Sequence, residues 1–135
     1  MMNQFAYIDP NEINDRCVVK VSGRHFVKQK KYDDLLAHLF KTMSNAILFS
    51  QQMNQETIDI FVYLDGLKSS HLDVKFAKDM VIMMQQLFPN RLNKCFIYHS
   101  PNFFRIFYEN ISIFIDKQTQ SKIEFIRNKT KSLSN

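Results

Sequence analysis

The stretch that decides the fold is KCFIYHSPNFFRIFYENISIFID, residues 94–116. Its first six residues, KCFIYH, predict a buried strand. Ser100-Pro101 then marks a helix start, because proline is tolerated in the first turn, where its missing N–H is not needed. The predicted helix, residues 101–116, is apolar nearly all round. One sheet edge can cover only one of its faces, so we expect the remaining face to meet a ligand, a second chain or a membrane, unless the tail or the first helix covers it.

Strands and helices alternate along the whole chain. Strands are predicted at residues 17–21 (CVVKV), 58–64 (IDIFVYL), 94–99 (KCFIYH) and 122–127 (KIEFIR), and helices at residues 31–49, 73–88 and 101–116. This order predicts an α/β fold with a single open, mostly parallel sheet of about four to five strands and flanking helices. The domain is expected at residues 17–127, between an N-terminal extension (1–16) and a polar tail (128–135).

Size and composition limit the class of protein. The 135 residues, 45% of them hydrophobic, suffice for one core. The formal charge of +5 is spread along the chain, which suits an anionic surface better than a nucleic acid. Cys17 and Cys95 lie in apolar runs and are predicted to be buried free thiols. No segment has a signal-peptide pattern or about 18 to 20 consecutive apolar residues. We therefore expect a cytoplasmic protein that can attach peripherally to a membrane.

Catalytic and cofactor motifs are not recognisable in the sequence. Asp65 ends a buried strand but is expected to make a turn with Gly66. Ser69, Ser70 and His71 have no nucleophile elbow around them. The four histidines are on separate elements, and two glycines cannot build a phosphate-binding loop. We therefore predict a protein that is not an enzyme and needs no cofactor or metal.

The succession of short motifs resembles the CRAL-TRIO, or Sec14-like, lipid-binding domain. The motifs are SGR at 22–24, LDG at 64–66, FPNR at 88–91, FIYHSP at 96–101, FID at 114–116 and KI at 122–123. The resemblance covers residues 17–127. It implies that the helix of residues 101–116 is a mobile gate over an apolar slot, and that the sheet is the floor of that slot.

The resemblance also assigns site residues. The gate would be made by Phe103, Phe104, Phe107, Ile111 and Phe114, and the floor by Phe61, Tyr63, Phe96 and Tyr98. The headgroup would be met by Lys122 and Arg91. Apart from the resemblance, the basic cluster of Arg24, Lys28, Lys30 and Lys31 would meet an anionic membrane surface, although a solvated basic face is its simpler interpretation. In family members that bind phosphatidylinositol, the lysine that corresponds to Lys122 pairs with a glutamate. This chain has Asn90 at the position of that glutamate.

These features predict a non-catalytic domain that binds a lipid or another long apolar ligand near membranes and that recognises phosphoinositides. The alternative is a protein-interaction or dimerisation scaffold of the divergent CRAL-TRIO type that has lost its lipid. The family continues beyond its KI strand with elements that wall the pocket, and this sequence has few residues after that strand. We therefore expect a reduced pocket and a homodimer, and no nucleic-acid partner.

Overall fold

The computed structural model describes residues 2–9 and 16–126. The described elements are α1 Met2–Phe5, β1 Ala6–Ile8, β2 Val18–Ser22, α2 Asp33–Gln52, β3 Ile58–Tyr63, α3 Val74–Leu87, β4 Leu92–Tyr98, α4 Asn102–Ser112, α5 Lys117–Gln120 and β5 Ile123–Ile126. Arg127 and the predicted tail, residues 128–135, lie outside the described residues.

The five strands form one sheet in the order β1-β2-β3-β4-β5. β1 is antiparallel to β2, and every other neighbouring pair is parallel. The prediction of a single, mostly parallel open sheet is confirmed. β1 lies in the stretch predicted to be an extension: Ala6 pairs with Val21 and Ile8 with Val19. Three residues are too short to show a periodic pattern, and pairing with β2 makes them a strand.

The helices begin and end where local chemistry dictates. The Asp73 side chain accepts a hydrogen bond from the Phe76 N–H and caps α3. Pro101 precedes α4 in an extended conformation. The predicted helix of residues 101–116 is shorter than expected and is followed by a second one. A turn follows Ser112, and Asp116 caps α5 by accepting a 2.7 Å bond from the Thr119 N–H.

Alternation along the strands gives the sheet two chemically different faces. The cavity face carries mainly aliphatic side chains: Val19, Val21, Ile60, Val62, Cys95, Ile97 and Ile123. The aromatic face carries Lys20, Asp59, Phe61, Tyr63, Phe96 and Tyr98. Each described helix contributes a side chain to the cavity over the first face: Phe5, Leu39, Ala77, Phe104 and Thr119. The helices therefore cover the cavity face.

Candidate ligand-binding site

An apolar cavity of about 280 Å³ lies between the cavity face and helices α2, α3 and α4. Its floor includes Val19, Ile60, Val62, Ile97 and Ile123, and its walls include Leu39, Met43, Phe76, Met80, Met84 and Phe107. The side chains are aliphatic or aromatic because each comes from the inward stripe of a helix or the inward face of a strand. Such a space favours a hydrocarbon ligand over a polar one.

Helix α4 supplies part of the predicted gate. Phe104, Phe107 and Ile111 line the cavity, and Phe104 and Ile111 are only 8% and 6% exposed. The Phe104 ring lies 5.5 Å from that of Phe107 and 6.2 Å from that of Phe125 on β5. These contacts anchor α4 over the end of the sheet.

The other two predicted gate residues do not line the cavity. Phe103 is half-buried, and the Phe114 ring lies under the Lys78 Nζ at 4.8 Å. The outer side of α4 is mainly polar, with Asn102, Arg105, Glu109 and Asn110 exposed, but Ile106 is 65% exposed there; Ile113, just beyond the helix, is 77% exposed. The sequence predicts more apolar surface than one sheet can bury, and Ile106 and Ile113 are where such surface is exposed.

The predicted floor was wrong by one residue in each strand. Phe61, Tyr63, Phe96 and Tyr98 point to the aromatic face, away from the cavity. There Tyr63 and Tyr98 stack at 5.0 Å between ring centroids, and Lys20 Nζ lies 5.5 Å above the Tyr63 ring. The sequence carried a signal for this: the run IDIFVY alternates aliphatic residues with Asp59, Phe61 and Tyr63, so the charged residue marks the face away from the core.

Two titratable side chains in the middle of the cavity, Cys95 and Tyr108, are uncharged near neutral pH. Burial raises the pKa of the Cys95 thiol to about 12. Burial also raises the pKa of Tyr108, with a smaller contribution from Cys95. Cys95 and Cys17 are both free, as predicted. The middle of the cavity therefore presents no charge to a ligand.

Asp73 marks the end of the cavity near the loop after β3. Its carboxylate accepts a 2.7 Å hydrogen bond from the Tyr32 hydroxyl and a 3.2 Å bond from the Phe76 N–H. Burial opposes the charge of Asp73, but these two bonds and nearby Lys28 outweigh it and lower the pKa. Sequence reasoning missed Asp73 and Tyr32, which are 41 residues apart.

A second, more polar cavity of about 140 Å³ adjoins the apolar one, and we call it the vestibule. The two share Met43, Ile60, Met84, Gln85 and Thr119 in their linings. The polar residues of the vestibule are Gln85, Asn90, Arg91, Asp116, Gln118, Thr119 and Lys122. It forms at the amino ends of β4 and β5, because Arg91 and Lys122 immediately precede these strands.

The charges of the vestibule are largely paired. Arg91 Nη1 lies 2.8 Å from the Glu56 carboxylate and donates a second bond to the Glu56 carbonyl at 3.1 Å. The Thr119 N–H, with a smaller contribution from Lys122, lowers the pKa of Asp116. Asn90 has a φ of 60°, a left-handed conformation that asparagine tolerates better than glutamate does. The vestibule thus combines the Lys122 cation with the nearby carboxylate of Asp116.

The other predicted basic residues lie at the opposite end of the sheet, where the parallel strands have their carboxyl ends. Arg24 follows the carboxyl end of β2, and Lys28, Lys30 and Lys31 follow in the loop before α2. All four are exposed, as is Val27 between them. The structure therefore brings together only Arg91 and Lys122 from the predicted headgroup set. Arg24 and the three lysines form a separate surface, the basic loop.

Residues weighed for catalysis do not assemble into a catalytic constellation. Asp65, Ser69 and Ser70 are exposed, and the Nδ1 atom of His71 accepts a 3.0 Å bond from the Lys68 N–H. Within residues 2–9 and 16–126, no three His, Cys, Asp or Glu side chains lie close enough to hold a metal ion. In the same part of the chain, no helix has the length and hydropathy to cross a membrane.

A sheet and helices that enclose a hydrocarbon cavity with a polar mouth define a domain that binds an apolar ligand. The sequence matches the CRAL/TRIO domain over residues 2–135, so the chain belongs to the CRAL/TRIO family, and the resemblance noted above is confirmed. Members of this family bind lipophilic ligands and are generally lipid-transfer proteins without enzymatic activity.

A solved structure supports the fold. The crystal structure of Sfh5 superposes with a TM-score of 0.75 at 18% sequence identity, over 92% of this chain and 47% of that one. The chain thus spans about half the length of Sfh5. A comparison with curated protein sequences gave no match.

Proposed function

We propose that this domain binds one lipid, or another long apolar ligand, in the apolar cavity and performs no catalysis on it. The observation that carries the proposal is the hydrocarbon cavity that adjoins the polar vestibule across shared residues. An amphiphile needs these two environments side by side. The chain of the ligand would lie on Val62 and Ile97, and its polar end would lie near Lys122.

Lys122 supports recognition of a phosphorylated headgroup, such as that of a phosphoinositide. Lys122 lines the vestibule, where an anionic group on a ligand chain would emerge. Arg91 contributes less, because Glu56 already neutralises its guanidinium. Headgroup recognition therefore rests on one lysine, and Asn90 replaces the acidic partner that the phosphatidylinositol-binding members have.

The basic loop supports docking to an anionic membrane. Lys28, Lys30 and Lys31 are exposed within four residues, beside the exposed Val27. Each lysine close to an anionic surface contributes about 1 kcal/mol of attraction, and an apolar side chain among them can enter the interface. The loop lies at the edge of the sheet opposite the vestibule, so docking and headgroup contact would use different surfaces.

Native mass spectrometry of the purified protein, followed by lipid extraction, tests the proposal. We expect a stoichiometric co-purified lipid in the wild type. Val81→Phe should displace it, because Val81 lines the cavity. Val74→Phe, an exposed site on the same helix, is the matched control and should retain it. An empty wild-type protein that also takes up no added lipid contradicts the proposal.

A protein-interaction module is the second candidate, and the aromatic face favours it. Phe61, Tyr63, Phe96 and Tyr98 are only partly buried, and each described helix packs on the other side of the sheet. Aromatic side chains are enriched at protein interfaces. A lipid-free dimer in the same native mass spectra would support this candidate over lipid binding.

A further inference from the structure

Large apolar side chains are exposed on helices α2 and α3 beside the vestibule. Phe40 is 44% exposed, Leu48 58% and Leu87 53%, and we call these three residues the apolar rim. None of the three lines the apolar cavity or the vestibule. Single apolar side chains on a surface need no explanation, but a group of them marks a place where the protein meets an apolar partner.

The rim residues are grouped by their spacing on the two helices. Phe40 and Leu48 are eight residues apart on α2, which places them on one side of that helix. Leu87 follows Met80 and Met83 on α3 at seven- and four-residue spacing, so the three share a stripe. Met80 and Met83 pack against a buried cluster that includes side chains of α2. Leu87 therefore faces α2 as well.

Phe88 connects the apolar rim to the vestibule. Its ring centroid lies 5.5 Å from that of Phe40, and Phe88 also lines the vestibule. Leu87 directly precedes it at the end of α3, just before the amino end of β4. The rim is therefore at the end of the sheet where the vestibule forms, and one aromatic side chain lies between the two.

The chemistry of this end of the domain suits a bilayer. Protein surfaces that enter the boundary between headgroups and acyl chains place apolar side chains in the acyl region and keep basic groups at the phosphates. Here Leu48 and Leu87 are the most exposed rim residues, and Lys122 lines the adjoining vestibule. A protein seated on the rim would lie beside the mouth of the ligand site, whereas a bilayer at the same place supplies the ligand.

We infer that the apolar rim inserts into a bilayer and that the ligand passes between bilayer and cavity through the vestibule. This inference rests on the proposed function and adds the surface at which the ligand is exchanged. The hydrocarbon of the ligand would move past Phe40 and Phe88 without crossing bulk water, and its headgroup would stay near Lys122. Insertion of the rim needs no anionic lipid, so it is separable from the attraction of the basic loop at the other end of the sheet.

A single tryptophan reports insertion directly, because the chain contains none. Leu87→Trp places one in the apolar rim, and Val74→Trp places one at the exposed start of the same helix, at the other end of the sheet. On neutral phosphatidylcholine vesicles with brominated acyl chains, the emission of Leu87→Trp should shift to shorter wavelength and be quenched. Val74→Trp, the matched control, should show neither change. Absence of quenching in Leu87→Trp, or equal quenching at both sites, overturns the inference.

Lipid uptake tests the exchange step. Leu48→Gln with Leu87→Gln makes two rim positions polar and leaves the cavity lining and the contact between Phe40 and Phe88 in place. Uptake of pyrene-labelled phosphatidylinositol from phosphatidylcholine vesicles should be about tenfold slower than in the wild type, because two leucines no longer enter the bilayer. Val27→Gln with Val74→Gln, exposed at the opposite end of the sheet, should keep the wild-type rate. An unchanged rate in the rim variant overturns the inference.

Presentation of the same lipid on cyclodextrin separates exchange from binding itself. Without a bilayer, the rim variant and the wild type should bind the lipid equally, since neither Leu48 nor Leu87 lines the cavity. Weaker binding by the rim variant here would show damage to the ligand site and overturns the assignment of the rim to exchange. No binding by the wild type contradicts the proposed function, and the tryptophan measurement still decides insertion. A dimer that the rim variant converts to a monomer, without bromine quenching, would assign the rim to a second copy of the chain and overturn the inference.

Discussion

The side-chain amide of Gln85 on α3 donates a 2.9 Å hydrogen bond to the backbone carbonyl of Phe114, just beyond the end of α4. The oxygen of the same amide accepts a 2.8 Å bond from the Asp116 N–H. Gln85 also lines both the apolar cavity and the vestibule. One side chain therefore ties the predicted gate to α3 at the junction of the two cavities.

Removing this link should loosen the gate. Gln85→Ala deletes two hydrogen bonds, each contributing about 1 kcal/mol net, so we expect the free energy of unfolding to fall by about 2 kcal/mol. The off-rate of a bound fluorescent fatty acid should also increase. Urea denaturation and stopped-flow displacement measure the two effects. Gln86→Ala, the exposed neighbour, should change stability by less than about 0.5 kcal/mol; equal effects of the two variants would contradict the role of Gln85.

Lys122 should carry the attraction for an anionic headgroup. Lys122→Ala removes a charge-assisted hydrogen bond worth about 1.5 kcal/mol at this partly exposed site, so binding to phosphoinositide-containing vesicles should weaken about tenfold. Asn90→Glu should shift the headgroup preference, at some strain because of the left-handed φ of Asn90. Lys117→Ala, on the exposed surface of α5, is the control. Equal vesicle binding by the wild type, Lys122→Ala and Asn90→Glu ends the idea of headgroup recognition.

The basic loop should govern attachment to anionic membranes. Replacing Lys30 and Lys31 by glutamate reverses two exposed charges of the basic loop and retains Lys28, which lies near Asp73; flotation with phosphatidylserine vesicles should then fall strongly at physiological salt. Ligand binding in solution should be unchanged, since the loop is at the other edge of the sheet from the vestibule. Lys41→Glu with Lys75→Glu, at exposed positions elsewhere, reverses two charges and serves as the comparison. Similar losses in both variants would show a general charge effect instead of a docking surface.

Acid should weaken the contact between Asp73 and Tyr32. The pKa of Asp73 is lower in the folded protein than its ordinary value, so this carboxylate stabilises the fold above that ordinary value. The stabilisation is lost as pH falls through the lower folded pKa. Asp73→Asn retains an acceptor for the Phe76 N–H but has no charge to titrate, so its stability should fall less than that of the wild type between pH 5 and pH 2. Urea midpoints measure this, with the exposed Asp79→Asn as control; parallel pH profiles for the wild type and Asp73→Asn would rule it out.

The exposed isoleucines near α4 should mediate self-association. We expect a homodimer, and Ile113→Asp should convert it to a stable monomer because Ile113 is largely exposed within the chain. Phe104→Asp is not an equivalent test, since Phe104 is buried and a charge there would unfold the domain. Light scattering coupled to size exclusion measures the mass. A wild type that stays monomeric at high concentration would count against a dimer.

The sequence by itself determined the order of elements and the class of fold. The alternation of β-rich runs with amphipathic segments, and the turns at Asp65-Gly66 and Ser100-Pro101, are local patterns that need no partner to be recognised. The match of short motifs to the CRAL-TRIO family depended on the same local order. The shared orientation of Phe104, Phe107 and Ile111, which all line the cavity, was equally predictable because they recur at helical spacing.

Only the tertiary structure decided which residues meet the ligand. Asp59 indicated that Phe61 and Tyr63 face away from the core, but the covering helices, which lie on the side of Ile60 and Ile97, decided which face is the floor. The vestibule, the Gln85 link and the Tyr32–Asp73 contact join residues far apart in sequence. Arg91 and Lys122 lie at the amino ends of their strands, and the basic loop lies at the carboxyl end of β2. Because these strands are parallel, the two groups are at opposite ends of the sheet. Local patterns decide which way a segment can bury its side chains, but the partner that covers them is fixed by packing across the whole chain.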